Sequence, residues 1–223
     1  MAVARQSFKE ITDTGDGCRP PLNGAFMATR LHVLHPMLVH MPLALMPVAI
    51  GADVLGKFTG QRGLCELGRR AMGLTAVGGV LSSVSGLVAQ EAVHLEGEEA
   101  RAKLVTHRNL NLGITAAALV MVGWRRRMKE PSPGYLLSGF GGLAGLFYTA
   151  WLGGELVYRH GAGVERAGGV REEKSPELLP KNARRVVGTG AANVREGAKH
   201  VVEELKDGEV APQLRFNPPM PPS

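Results

Sequence analysis

Five of the seven histidines in this chain stand at the ends of apolar stretches. His35 and His40 open the first stretch, His94 closes the second, His107 opens the third and His160 closes the fourth. A chain that reverses with each stretch brings a start, an end, a start and an end to one side. Neutral imidazoles on facing helices are what a non-covalent b-type haem takes as axial ligands, and an iron with both axial positions filled carries electrons rather than binding oxygen. His40, His94, His107 and His160, one per helix, are therefore the expected ligands, as one or two pairs. His35 precedes His40 by five residues, about 140° around a helix. It is expected to face elsewhere, supporting a ligand or serving a second cofactor. His32 and His200 read as surface residues.

The carboxylates offer a rival chemistry. Glu91 and His94 form Glu-x-x-His, and Glu155 lies in the fourth stretch. Carboxylate-bridged di-metal bundles use two such motifs with two further Glu, so this chain is short of ligands for one. A mononuclear zinc, iron or copper site built from His40, His94, His107, His160 and Glu91 remains open. Glu91 and Glu155 could equally pair with Arg159 or Arg108, and Asp53 with Arg69 or Arg70.

The elements that must position these residues are apolar enough to cross a bilayer, which takes roughly 20 helical residues. Four stretches qualify, near 36–57, 71–93, 108–124 and 135–158, the third being the shortest. A soluble bundle would need a charged face on every helix. Runs such as LTAVGGVLSSVSGLVA have none, which predicts an all-α, integral membrane four-helix bundle. Small-residue stripes run below the histidines: Gln90, Gly86, Ser83 and Gly79 under His94; Gly153, Thr149 and Gly142 under His160; Ala44, Pro47 and Gly51 after His40. They suit either a porphyrin edge or close helix packing. Pro42 and Pro47 should kink the first helix. Trp124 and Tyr158 read as interfacial anchors.

The chain divides into a polar N-terminal arm (1–30), a transmembrane domain (31–165) and an extramembrane tail (166–223) with an amphipathic helix over 183–206. That helix could lie on the membrane or dock on a partner. Cys18 and Cys65 are too few for a disulfide framework, and no Cys-x-x-Cys-His motif is present for covalent haem. The first span is expected to act as an uncleaved insertion signal. The net charge of +6 comes largely from residues flanking the spans, so no nucleic-acid partner is expected. Lys57, Arg62, Arg69 and Arg70 after the first span, and Arg125, Arg126, Arg127 and Lys129 after the third, place those loops in the cytoplasm. Both termini and the histidine side then face the periplasm, with Arg159, Arg166 and Arg171 arguing the other way.

The segment His35-Pro36-Met37-Leu38-Val39-His40-Met41-Pro42, with Asp53, His107 and the ending Gly153-Gly154-Glu155-Leu156-Val157-Tyr158-Arg159-His160-Gly161, resembles a bacterial membrane family known as domain of unknown function twenty-two thirty-one. The resemblance covers about residues 31–165. It implies four spans in the bacterial inner membrane. Some members carry a Rieske iron–sulfur domain, which implies a redox setting, although this tail lacks the paired Cys and His of such a centre. It implies no biochemical activity.

Together these readings predict a membrane-embedded, b-type cytochrome-like electron carrier rather than a stand-alone enzyme, with no catalytic residue of its own. Quinol would be the donor and a periplasmic redox protein the acceptor, with the tail docking a partner, a larger complex or a second copy. The alternatives are a cofactor-free structural or assembly subunit and a His/Glu metal-binding protein. A transporter is weaker, because the sequence shows no broken helix pair.

Overall fold

The computed structural model describes residues 29–215. Most of the expected polar arm, Cys18 and the Pro-rich end lie outside those residues. Six α-helices follow in order: α1 (Leu34–Leu38), α2 (His40–Thr59), α3 (Arg62–Ala92), α4 (Glu98–Arg126), α5 (Pro133–Tyr158) and α6 (Ala183–Lys206). Among the described residues there is no strand, only two isolated bridges, Arg30 with Glu177 and Val93 with Val170. The all-α expectation holds.

With the turn before them, α1 and α2 act as one broken rod over Leu31–Thr59. The break is at Val39, where Pro42 has no N–H to offer the carbonyl of Leu38. Pro47 removes another bond inside α2 without ending it. Gly60, at φ 69°, takes the left-handed conformation that closes α2. Ser132 caps α5 by accepting from the Tyr135 N–H at 3.3 Å, with Pro133 in the first turn.

The α1/α2 rod packs on α3, α3 on α4, α4 on α5, and α5 closes the ring against α2. The first rod and α4 therefore face one another across one diagonal, and α3 and α5 across the other. Ala49, Ile50, Ala71, Met72, Met121 and Tyr135 form the core. Outside it, Leu74, Val77, Leu81 and Val84 of α3 and Phe140, Phe147 and Trp151 of α5 are exposed. An apolar belt of this extent on a helical bundle belongs against lipid.

Three helices, Leu31–Thr59, Arg62–Ala92 and Pro133–Tyr158, are long and apolar enough to cross a membrane. α4 falls short because Glu98, Glu99, Arg101, Lys103 and Arg108 occupy its first three turns and Asn109, Asn111, Arg125 and Arg126 lie in the remainder. The fourth crossing is imposed by connectivity. α3 ends beside Arg171, whose N–H donates to the Ala92 carbonyl at 2.7 Å. α5 begins at the far end, where Lys57 donates to the Pro131 carbonyl at 2.8 Å. α4 must travel between the two.

At that far end Asp53 and Arg125 form a fully buried ion pair at 2.8 Å. Arg69 and Arg70, the partners expected for Asp53, both bond Glu66 instead. They are its neighbours one helical turn away, whereas Arg125 lies on the face of α4 that looks into the bundle.

Candidate functional site

The structure brings two histidines together, and they are His35 and His107. Their ring centroids are 6.2 Å apart and their planes meet at 87°. His35 Nδ1 lies 3.0 Å from the Ser82 carbonyl of α3, and His107 Nδ1 lies 2.8 Å from the Thr149 carbonyl of α5. A carbonyl can only accept, so in each neutral ring Nδ1 carries the proton and Nε2 keeps its lone pair. A backbone partner on the second nitrogen is how proteins orient metal-ligating imidazoles.

Glycines make room for both rings. A Cβ on Gly86 would stand 3.1 Å from His35 Cε1, and one on Gly153 would stand 3.1 Å from His107 Cε1. Of the small-residue stripes, Gly86 meets His35 and Gly153 meets His107, whereas Gly79 meets Thr115, Gly142 meets Met46, and Ala44 and Gly51 of the stripe after His40 are exposed. Below the pair, Asn111 Nδ2 donates to the His107 carbonyl at 2.7 Å, and the Thr149 hydroxyl donates to Asn111 Oδ1 at 3.2 Å. Ser83 and Thr115 bond at 3.0 Å. A cavity of about 20 Å³ follows on the bundle axis, lined in part by Ser82, Ser83, Asn111 and Thr115. A hollow of that size, apolar over most of its wall but with these polar groups in it, suits a water molecule.

The other expected ligands do not join this pair. His40 starts α2 on its outer face and is exposed. The register of α2 explains this: Pro42, Met46, Ala49 and Asp53 are buried, and that face runs back seven residues from Pro42 to His35. His94 is no longer on α3, because the helix stops at Ala92 and Val93 is extended. It is exposed, 3.7 Å from Glu96. His160 Nε2 lies 3.3 Å from Lys103 Nζ. An ammonium can only donate, so it occupies the lone pair a metal would need. Lys103 also binds Glu99 at 2.7 Å and Glu155 at 3.2 Å, and its hydrogen bond holds the Glu99 carboxyl below the usual carboxylate range. Glu155 does take Arg159, at 2.9 Å. Among the described residues, no three His, Cys, Asp or Glu side chains gather to hold a metal ion, so His40, His94, His107, His160 and Glu91 do not form a shared ligand set.

The tail folds back over the histidine end. His32 is buried there rather than at the surface, with Nδ1 2.8 Å from Ser175 Oγ. Arg30 pairs with Glu165 at 2.7 Å and Glu172 at 3.2 Å. Glu91 meets His200 at 2.9 Å and not Arg108, which pairs with Glu204. The Gln213 N–H donates to Thr106 Oγ1 at 2.9 Å. α3 and α4, about 46 Å and 43 Å long at 1.5 Å per residue, overrun a hydrocarbon core of about 30 Å, and the tail covers the overhang.

His35 could have been found from its neighbours. Asp53 is charged and must face inward, and His35 lies eighteen residues before it; His107 lies eighteen before Arg125. Eighteen residues are five helical turns, about 27 Å. The first rod and α4 therefore meet twice across the diagonal, His35 with His107 at one end and Asp53 with Arg125 at the other.

Residues 31–166, more than half of the chain and all four helices of this bundle, match the family described as Predicted membrane protein (DUF2231). The chain belongs to that family. The match takes in both diagonal pairs and stops before α6. No curated protein and no solved structure matches the chain.

Proposed function

We propose that this membrane protein is a b-type cytochrome-like electron carrier in which His35 and His107 would hold the haem. The observation that carries this reading is two imidazoles on diagonal helices with ring centroids 6.2 Å apart, each with Nδ1 bonded to a backbone carbonyl, His35 Nε2 turned from that bond and the Asn111 amide 3.4 Å from His107 Nε2. The other diagonal carries Gly79, Ser82, Ser83 and Gly86 on α3, and Gly142, Thr149 and Gly153 on α5. The glycines there seat the His35 and His107 rings, Thr115 and Met46, so a flat macrocycle would need these helices to move apart. The present cavity is water-sized, so loading requires α3 and α5 to part. Haem would supply one-electron chemistry. The chain's own part is to fix the two rings, seal the site under the tail and exclude solvent.

An apolar groove of about 540 Å³ between α4 and α5 opens toward lipid and includes Met46, Leu110, Ile114, Val120, Met121 and Trp124. Its lining suits a quinol-type donor. The basic residues Lys57, Arg62, Arg126, Arg127 and Lys129 cluster at the Asp53–Arg125 end, which favours that end in the cytoplasm and the histidine end in the periplasm of a bacterial inner membrane.

The test is a dithionite-reduced minus oxidised absorption spectrum of the purified, haem-supplied protein. Sharp alpha and Soret bands are expected, lost in His35→Ala and in His107→Ala but kept in His40→Ala, His94→Ala and His160→Ala. A featureless spectrum from a folded sample overturns the proposal. The second reading, a cofactor-free subunit of a membrane complex, is favoured by the same backbone bonds, which also satisfy the rings without any metal. On that reading His107→Ala lowers thermal stability and no variant changes the spectrum.

A further inference from the structure

α6 crosses the bundle rather than running along it. A Cβ on Gly190 would stand 3.8 Å from Leu31 at the start of the first rod. Asn193 Nδ2 donates to the Val88 carbonyl of α3 at 3.3 Å. Gly197 rests on Leu87 and Gln90, His200 reaches Glu91, and Glu204 pairs with Arg108 and Arg101 of α4. From Gly190 to Glu204, about 21 Å of helix, α6 passes from the first rod over α3 to α4. A path across the bundle axis is a path along the membrane plane.

The faces of α6 are sorted. At 100° per residue, Asn193, Gly197, His200 and Glu204 share an arc of about 60° turned to the bundle. Val187, Ala191, Ala198, Val202 and Leu205 share the next arc, also about 60° wide. All five are exposed, Val187 by 72% and Val202 by 50%. Arg184, Arg195, Lys199 and Lys206 follow, and Glu196 and Glu203 lie beyond them together with Arg185.

The contacts show which way the apolar arc looks. His200, on its far side from that arc, meets Glu91 near the end of α3. Gly197, on its near side, meets Leu87, one turn back toward the apolar part of α3. Continuing the same rotation points Val187, Val202 and Leu205 toward the level of Val84, Leu81 and Val80, which are themselves exposed. The basic arc then faces sideways, away from the bundle, and the acidic arc faces water.

We propose that α6 is an interfacial helix that seats its apolar stripe at the headgroup–acyl boundary and its basic arc among anionic lipid headgroups. Apolar burial combined with basic charge on one helix is the pattern such binding requires. The seat continues the lipid-facing belt of α3, so the bilayer is the occupant the geometry favours over a protein partner.

The test uses the full chain with Cys18→Ser and Cys65→Ala, carrying Val202→Cys or Glu203→Cys labelled with an environment-sensitive fluorophore. It is placed in nanodiscs of phosphatidylcholine, with and without phosphatidylglycerol. The label at position 202 should show blue-shifted emission and strong quenching by lipids with a nitroxide high on the acyl chain, more so with phosphatidylglycerol. The label at position 203 should stay aqueous. Adding Arg184→Glu and Arg195→Glu should weaken quenching at 202. An aqueous signal at 202 in both lipids overturns the proposal. So does a shielded label that nitroxide lipids fail to quench, which would mean a protein covers the stripe. Should the cysteine replacements prevent folding, hydrogen exchange of α6 in the unaltered chain decides. Slower exchange with phosphatidylglycerol supports the proposal, and equal exchange in detergent and both lipids overturns it.

Discussion

Arg125→Met should lower the stability of the bundle by roughly 3–5 kcal/mol, the range for stranding one member of a buried ion pair. Asp53 is fully buried, and Arg125 approaches both of its carboxylate oxygens through Nε, with Nη2 at 2.8 Å from Oδ1. The same guanidinium donates to the Met128 carbonyl at 3.1 Å and the Cys65 carbonyl at 3.0 Å. It therefore ties α2, the start of α3 and the loop before α5 to α4 at once. Methionine keeps much of the volume and none of these bonds. At about 2–4 °C per kcal/mol for a chain of this size, the apparent melting temperature in detergent should fall by on the order of 10 °C. Asp53→Leu combined with Arg125→Met removes both charges and should recover most of the loss. Equal melting of Arg125→Met and the unaltered protein would show that the pair does not hold the helices together.

Gly197→Val should lift α6 from α3 without unfolding the four-helix bundle. Leu87's carbonyl oxygen would stand only 2.9 Å from an added Cβ at this position, and the Gln90 side chain closer still. Backbone cannot move aside as a flexible side chain can, and a β-branched residue needs still more space. Overpacking of this kind costs typically 1–3 kcal/mol. The helix is held by few apolar contacts and several polar ones: Asn193 to Val88, His200 to Glu91, and Glu204 to Arg108. Losing the close approach at Gly197 weakens all of them together. Limited proteolysis should cut the variant between residues 161 and 206 at least several times faster than the unaltered chain, while α1 to α5 remain resistant. Unchanged cleavage would mean that the tail is not seated through this glycine.

Much of the architecture is readable because lipid leaves few options. Long apolar runs with Gly and Pro at their ends specify helices, and α6 occupies the span its periodicity predicts. α4 is longer than its apolar stretch because Glu98 to Arg108 cover the part that rises beyond the membrane, where polarity no longer argues against helix. The candidate site was less legible. Counting histidines at helix ends finds His107 but ranks His40 above His35, since an end position says nothing about which face a residue occupies. The buried face through Met46, Ala49 and Asp53 settles the register, and only Asp53 announces it in sequence. Asp53 was expected to pair with Arg69 or Arg70 because loop arginines are near in the chain, whereas the partner comes from across the diagonal. The return of the tail over Glu91 and Arg108 has no local signal, because it depends on complementary charges more than ninety residues apart.

The five-turn interval between His35 and Asp53, matched by that between His107 and Arg125, makes chain length within the first rod and α4 as constrained as any side chain. Deleting one residue from 43–52 turns one end of the rod by about 100° against the other. Whichever crossing stays in place, the opposite one is rotated out of the bundle. Natural variation and engineered insertions should therefore accumulate in the connections at 59–62, 93–97 and 127–132 and in the tail, while these two segments change residue identity at constant length.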